Sequence, residues 1–288
     1  MKGKLLVSVF VNGENYSHYI PFFLFFMQKS YPEYFTLISC KDTLPHKVKE
    51  NIGLLDNSFF KINENVFSEF PDDVDTSKTV RWVLAPEEYN DFEYIYITDI
   101  DILTIIEEPS LLDRHLNQMK ENNLPYSTPM DIPNRGTRLG GLFFFDRKAY
   151  LDIALPTMDK YRKILLQKNG IDCFWNKHLN KRDNQLALYK IVTESGLAIP
   201  KEHSFTYHGL HLGHSRCRGR WELFFGKDRP VAEGDHKKYY EKYLLLTHDM
   251  MFWKMLTNSI HMIQKEVSIM SVVYNQIIVR EERDGWKS

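Results

Sequence analysis

Cysteine is scarce: Cys40, Cys173 and Cys217 are the three in a chain of 288 residues. They are too few and too scattered for a disulfide framework or a cysteine-based zinc site, which makes the reducing cytoplasm the expected compartment. Net charge is nearly absent, −1 from 37 basic and 38 acidic residues. No broad basic field is available, so no nucleic-acid partner is expected. Long apolar runs are missing too. The run Ile20 to Met27 contains Pro21, is followed by Gln28-Lys29 and is too short to span a bilayer, so any membrane association is expected to be peripheral. Met1-Lys2-Gly3-Lys4 leads straight into an apolar strand, and no secretory leader is expected. Internal repeats are also lacking.

What is present is 43% hydrophobic residues, enough for one large domain or one domain with an appendage. Strand-like and helix-like segments alternate, the pattern of an α/β fold with a largely parallel sheet. Leu5 to Val11 reads as a buried strand closed by Asn12-Gly13, followed by a helix over Ser17 to Ser30 and a strand over Tyr34 to Ser39. Helices are predicted over Lys47 to Leu55 and Thr76 to Pro86, with a short strand over Phe59 to Ile62 between them. Then come a helix over Leu111 to Asn122, a strand ending near Asp131 and a glycine-rich strand over Gly140 to Phe145. Helices follow over Pro156 to Gln167 and Asp183 to Ser195, and Asp235 to Arg280 carries a helical pattern rich in aromatics and methionine.

The most informative short pattern is Asp99-Ile100-Asp101, at the end of the apolar run Tyr94-Ile95-Tyr96-Ile97. Strand alternation puts Asp99 and Asp101 on one side, as a two-pronged oxygen ligand. Flanked by Ile97, Ile102 and Leu103, two such anions are costly when unpaired, and a divalent cation with a bound diphosphate is the simplest compensation. The competing reading of so short a pattern is a loop acid beside a helix-capping acid. Late in the chain, His208-Gly209-Leu210-His211-Leu212-Gly213-His214 offers an imidazole, which would favour manganese, with magnesium as the alternative.

The order of several features resembles the GT-A fold glycosyltransferases, most nearly the retaining family 8 type. These are Asn15-Tyr16, Arg81, Ile97 through Leu103, Asp131, Gly140-Gly141-Leu142-Phe143-Phe144-Phe145, Asp183-Asn184-Gln185 and the histidine cluster. The resemblance covers roughly Leu5 to Arg220. It implies a Rossmann-like mixed sheet flanked by helices over residues 1–230. Residues 231–288 would then form a helical C-terminal extension acting as a cap, an acceptor contact or a homo-oligomer contact. It also implies a donor site of Val11, Asn12, Asn15, Arg81, Asp99, Ile100, Asp131, Gly140 and Gly141. The loop after the first strand would hold base and ribose, Arg81 would engage phosphate or carboxylate oxygens, and the two glycines would let backbone approach the sugar. The metal would sit on Asp99, Asp101 and either His211 or His208. Asp183 and Gln185 would be catalytic, although an aspartate opening a helix also reads as an ordinary cap.

The implied activity is metal-dependent transfer of a hexose from a nucleotide sugar, UDP-linked, to a hydroxyl of a glycan or glycoconjugate acceptor, with retention. Surface polysaccharide assembly or glycan building on a protein would both use it. Two alternatives compete. Gly136-Thr137-Arg138-Leu139 echoes the phosphate loop of sugar nucleotidyltransferases. A non-catalytic fold of the same kind, working as a binding or scaffold subunit, is the other.

Overall fold

In the computed structural model the described residues are 3–128, 138–177, 180–200, 208–212 and 241–266. The first strand, β1 (Gly3–Val11), shows why the sheet is central. Leu5, Val7, Val9 and Val11 enter one core, and Leu6 enters the other. A strand covered on both faces needs a continuous apolar run, which is what the sequence supplies. Ser8 is buried within it and accepts a hydrogen bond from the Tyr89 hydroxyl at 2.9 Å.

β1 lies between β2 (Phe35–Cys40) and β4 (Phe92–Thr98), parallel to both, and β3 (Phe60–Asn63) pairs parallel with β2. β7 (Phe143–Asp146) pairs antiparallel with β4, and β6 (Tyr126–Ser127) pairs antiparallel with β7. The order β3-β2-β1-β4-β7-β6 gives a mixed six-stranded sheet, and β8 (Trp175–Asn176) pairs antiparallel with β9 (Lys181–Arg182) apart from it. Between β4 and the short β5 (Ile102–Thr104), Asp99-Ile100-Asp101 forms a turn, so the strand alternation expected for the two aspartates does not hold there.

On one face lies α2 (Ile20–Ser30), whose phenylalanines Phe22, Phe23, Phe25 and Phe26 are all buried. A helix apolar all round needs cover on both sides. The sheet provides one side and residues 241–266 the other. Phe252, in α8 (Met250–Thr257), packs 5.8 Å from Phe22, Tyr243 stacks on Phe26 at 5.9 Å, and the Tyr19 hydroxyl donates to Glu266. The described part of the C-terminal segment therefore belongs to the first core; its expected start at 231 lies outside the described residues. Three of its apolar side chains, Leu245, Met250 and Trp253, face outward. No helix among the described residues is long and apolar enough to cross a membrane.

The opposite face carries α4 (Val74–Val80), α6 (Arg147–Leu165) and α7 (Asn184–Glu194). Three predicted helices differ in their bounds. The helix expected over Ser17 to Ser30 splits into α1 (Glu14–Ser17) and α2, because Pro21 opens a new first turn, where its missing N–H costs nothing. The helix expected over Thr76 to Pro86 ends at Val80 and unwinds through turns ahead of Pro86, which disfavours helix before it. α6 begins under an Asp146 cap, well before Pro156, and runs through that proline on its exposed face, where water can satisfy the freed carbonyl. α3 (His46–Ile52) and α5 (Leu111–Asn122) complete the layer beside α2.

Candidate active site

The chain runs from β1 outward to β2 and β3, then returns to β4 on the other side of β1. This reversal opens a crevice at the carboxyl ends of β1 and β4, the general position of ligand sites in open α/β sheets. Asn12 follows β1 and Asp99 follows β4, so both border it.

On the β4 side, Arg81 leaves the end of α4 with its guanidinium 4.3 Å over the Trp82 ring and bonded through Nη1 to Asp99 Oδ1. Trp82 is itself buried against Phe143, so the cation is held from behind. Gly141 comes up beneath this pair. A Cβ placed there would lie 3.4 Å from Arg81 Nη2, 3.7 Å from Gln185 Nε2 and 3.9 Å from Asp99 Oδ2. A cation, an amide and a carboxylate thus converge over one backbone position that carries no side chain. Thr128 fixes this step by donating its hydroxyl to the Leu142 carbonyl at 2.8 Å. Gln185 Oε1 is buried without a hydrogen-bond partner among the described residues, an acceptor left to be satisfied.

The β1 side is more open. Asn12 is half-buried, and Gly13 turns the chain at φ 85°, a left-handed conformation suited to glycine, with its N–H 3.2 Å from Asp42 Oδ2. Asn15 is exposed on α1. Val11, Gly13, Glu14, Asp42 and Leu44 border a cavity of about 400 Å³ between the ends of β1 and β2. Asp42 carries no motif in the sequence; only the β1/β2 pairing brings it to the cavity. Burial pushes the Cys40 thiol up to about 12, so it is no nucleophile near neutral pH.

The late histidines separate. β10 (Gly209–His211) pairs antiparallel with β5, with His211 opposite Ile102 and the Leu212 N–H bonded to the Asp101 carbonyl at 2.8 Å. His211 is thereby brought beside Asp101, itself buried. His208 instead points into the core. Its Nδ1 lies 2.9 Å from Glu107 Oε2 and its Nε2 lies 2.9 Å from Nε2 of His115. Both ring nitrogens are committed, so His208 has none for a metal, which corrects its candidacy. Among the described residues no group of three His, Cys, Asp or Glu side chains converges to hold an ion.

Burial first, then the neighbouring His208 and Arg114, hold the His115 imidazole well below its ordinary value. The unfolded chain takes up a proton near pH 6.5 that the folded chain refuses. This contribution is therefore full above about pH 6.5 and lost on acidification below it, at up to about 1.4 kcal/mol per pH unit. Urea midpoints measured from pH 7.5 to 5.5 should fall accordingly, and His115→Phe should flatten the fall; an unchanged slope in that variant would refute the assignment.

Asp183 also departs from its expected role. It caps α7, accepting from the Gln185 and Leu186 N–H groups at 3.0 and 3.4 Å, and pairs with Arg138 Nε at 2.7 Å. It is buried, and these contacts make it a structural carboxylate rather than a catalytic one. Arg138 comes from the segment that echoes a nucleotidyltransferase loop, and here it serves this ion pair. Arg81, Asp99, Gly141 and Gln185 are brought together, with Gly140 and Ile100 beside them in the chain. Asp131, Gly213 and His214 lie outside the described residues.

No family model matches the sequence, and no curated protein sequence matches it. Solved structures do. The glycosyltransferase GlyE of Streptococcus pneumoniae TIGR4 aligns over 97% of this chain and 64% of its own, at 10% identity and a TM-score of 0.46. The galactosyltransferase LgtC, in complex with donor and acceptor sugar analogs, aligns over 68% of this chain and 84% of its own, at 12% identity and a TM-score of 0.38. The bifunctional glycosyltransferase WbbM aligns over 68% of this chain and 38% of its own, at 12% identity and a TM-score of 0.43. The chain thus spans less than two thirds of GlyE and of WbbM.

Proposed function

We propose that this protein is a metal-dependent glycosyltransferase that moves a hexose from a nucleotide sugar, UDP-linked, to a hydroxyl of a glycan acceptor with retention of configuration. The observation that carries the reading is the convergence of Arg81, Asp99 and Gln185 over Gly141 at the crevice between β1 and β4. A motif order resembling a glycosyltransferase family supports it, as does the cavity at the ends of β1 and β2, of a size for a nucleoside.

Asp99, Asp101 and His211 would hold the ion, a donor set of two hard oxygens and an imidazole that suits manganese and admits magnesium. When bound, the ion supplies Lewis-acid stabilisation of the diphosphate as it departs. The chain's own groups do the rest. Arg81 presents fixed donors to donor oxygens and balances the charge of Asp99. Gly141 lets the sugar lie against backbone. The unpaired Gln185 Oε1 accepts from a sugar hydroxyl or faces positive charge developing at the anomeric carbon. Val11 and Asp42 line the cavity for base and ribose, and Asn12 and Asn15, next to its lining residues in the chain, would reach them. Cys40 and Cys173 form no disulfide among the described residues.

Calorimetry of the full chain against nucleoside diphosphates and their sugars, with and without manganese, tests this. Uridine nucleotides should bind at least tenfold tighter with manganese present. A protein that binds no nucleotide in a metal-dependent way would sink the reading.

A further inference from the structure

β10 is three residues long, and so is its partner β5. An isolated pair of strands this short is marginal by itself, yet the proposed ion site needs it in one register. A slip of one residue would take His211 from its place opposite Ile102 and break the Leu212 N–H bond to the Asp101 carbonyl. Something outside the backbone has to fix that register.

We propose that His208, Glu107 and His115 form a positioning relay that locks β10 against β5 and so sets the placement of His211 beside Asp101; this rests on the metal-dependent reading above. Glu107 lies just beyond β5 and His208 just before β10, so their 2.9 Å contact ties the far end of the ladder, where the Ile105 N–H also meets the His208 carbonyl at 3.2 Å. Glu107 is held in turn by the Arg114 guanidinium at 3.3 Å and by the backbone of its own N–H to the Tyr31 hydroxyl at 2.9 Å. On the other side of His208, the His115 ring stacks on Phe144 of β7 at 4.5 Å and 4°, and its Nδ1 lies 2.8 Å from the Ser127 hydroxyl. The relay therefore anchors a late strand to α5, β6 and the central sheet.

Hydrogen-bond chemistry makes the lock directional. A carboxylate only accepts, so His208 Nδ1 donates to it; of the two Nε2 atoms that face each other, one donates and the other accepts. Each partner has one place in which these bonds are all made, and His208, Glu107, His115 and Ser127 are all buried and costly to leave unpaired. Hydrophobic side chains could fill the same space without specifying the register, and the retention of a polar chain here fits a role in specificity. Gly209 belongs to the same device. It sits at φ 150°, and a Cβ there would lie 2.0 Å from the Leu103 carbonyl oxygen, so the strands approach more closely than a side chain permits.

The test uses the full chain and three variants, His208→Leu, His208→Asn and His115→Phe, with circular dichroism to establish that each is folded. Free manganese is followed by electron paramagnetic resonance in the presence of uridine diphosphate, and amide hydrogen exchange is read at Ile105 and at residues 209–212. His208→Leu should weaken manganese binding at least tenfold and speed exchange at β10 at least tenfold. His115→Phe should produce the same changes to a smaller extent, and it decides the matter where His208→Leu does not fold. His208→Asn keeps an N–H directed at Glu107 and should recover affinity to within threefold of the native protein. Native exchange and native affinity in folded His208→Leu or His115→Phe would overturn the relay. A native protein that binds no manganese would overturn the proposed function instead, and the exchange data would still judge the lock.

Discussion

Asp101→Asn will lower manganese-dependent nucleotide affinity by at least a hundredfold. The substitution keeps the shape of the side chain and removes one of the anionic ligands proposed for the ion. Asp101 is buried in the turn between β4 and β5, and its carbonyl, which accepts from the Leu212 N–H, is untouched by the change. Loss of a charged ligand to a Lewis-acidic ion is worth several kcal/mol, and about 1.4 kcal/mol is a factor of ten. The effect should appear in titrations with manganese and vanish in titrations without it. Asp99→Asn removes an ion pair with Arg81 as well. Its loss leaves a guanidinium that is mostly buried without its counter-ion, so stability and affinity should both decline. Equal, metal-independent losses in the two variants would mean that Asp101 is a structural acid and not an ion ligand.

The second large effect is one of stability. Asp183→Ala should cost about 3–5 kcal/mol, because it removes one member of a buried ion pair and strands the other. Arg138 and Asp183 side chains are 9% and 1% exposed, and their contact is 2.7 Å. The same change uncaps α7, whose first turn loses two acceptor contacts. Against a typical total of about 5–15 kcal/mol, this is enough to leave a marginal protein. Urea denaturation gives the number directly. A variant as stable as the native protein but without activity would return Asp183 to the list of catalytic groups.

Much of the sheet was legible because its strands are buried on both faces and carry unbroken apolar runs. β1, β2 and β4 fall where Leu5 to Val11, Tyr34 to Ser39 and Tyr94 to Ile97 put them, within a few residues. Residues expected to share a site, Arg81, Asp99, Gly141 and Gln185, are also neighbours in space. What the sequence hid was the identity of long-range partners. Nothing local says that Arg138 will meet Asp183, or that Glu107 and His115 will claim His208, since those pairings depend on how distant elements dock. The aspartate pair illustrates a different loss: the period of two was carried past the last residue of β4, where a turn replaces it.

The cover on α2 has a consequence for how the chain is made. Tyr19 and Glu266 are partners 247 residues apart in sequence, and Phe22, Phe25 and Phe26 wait for the same late segment. At about 5–20 residues per second of translation, the aromatic face of α2 stays open for roughly 12–50 s after it leaves the ribosome. A chain that ended before residue 241 would lack Tyr243, Phe252 and Glu266, the partners that Phe26, Phe22 and Tyr19 have in the folded protein.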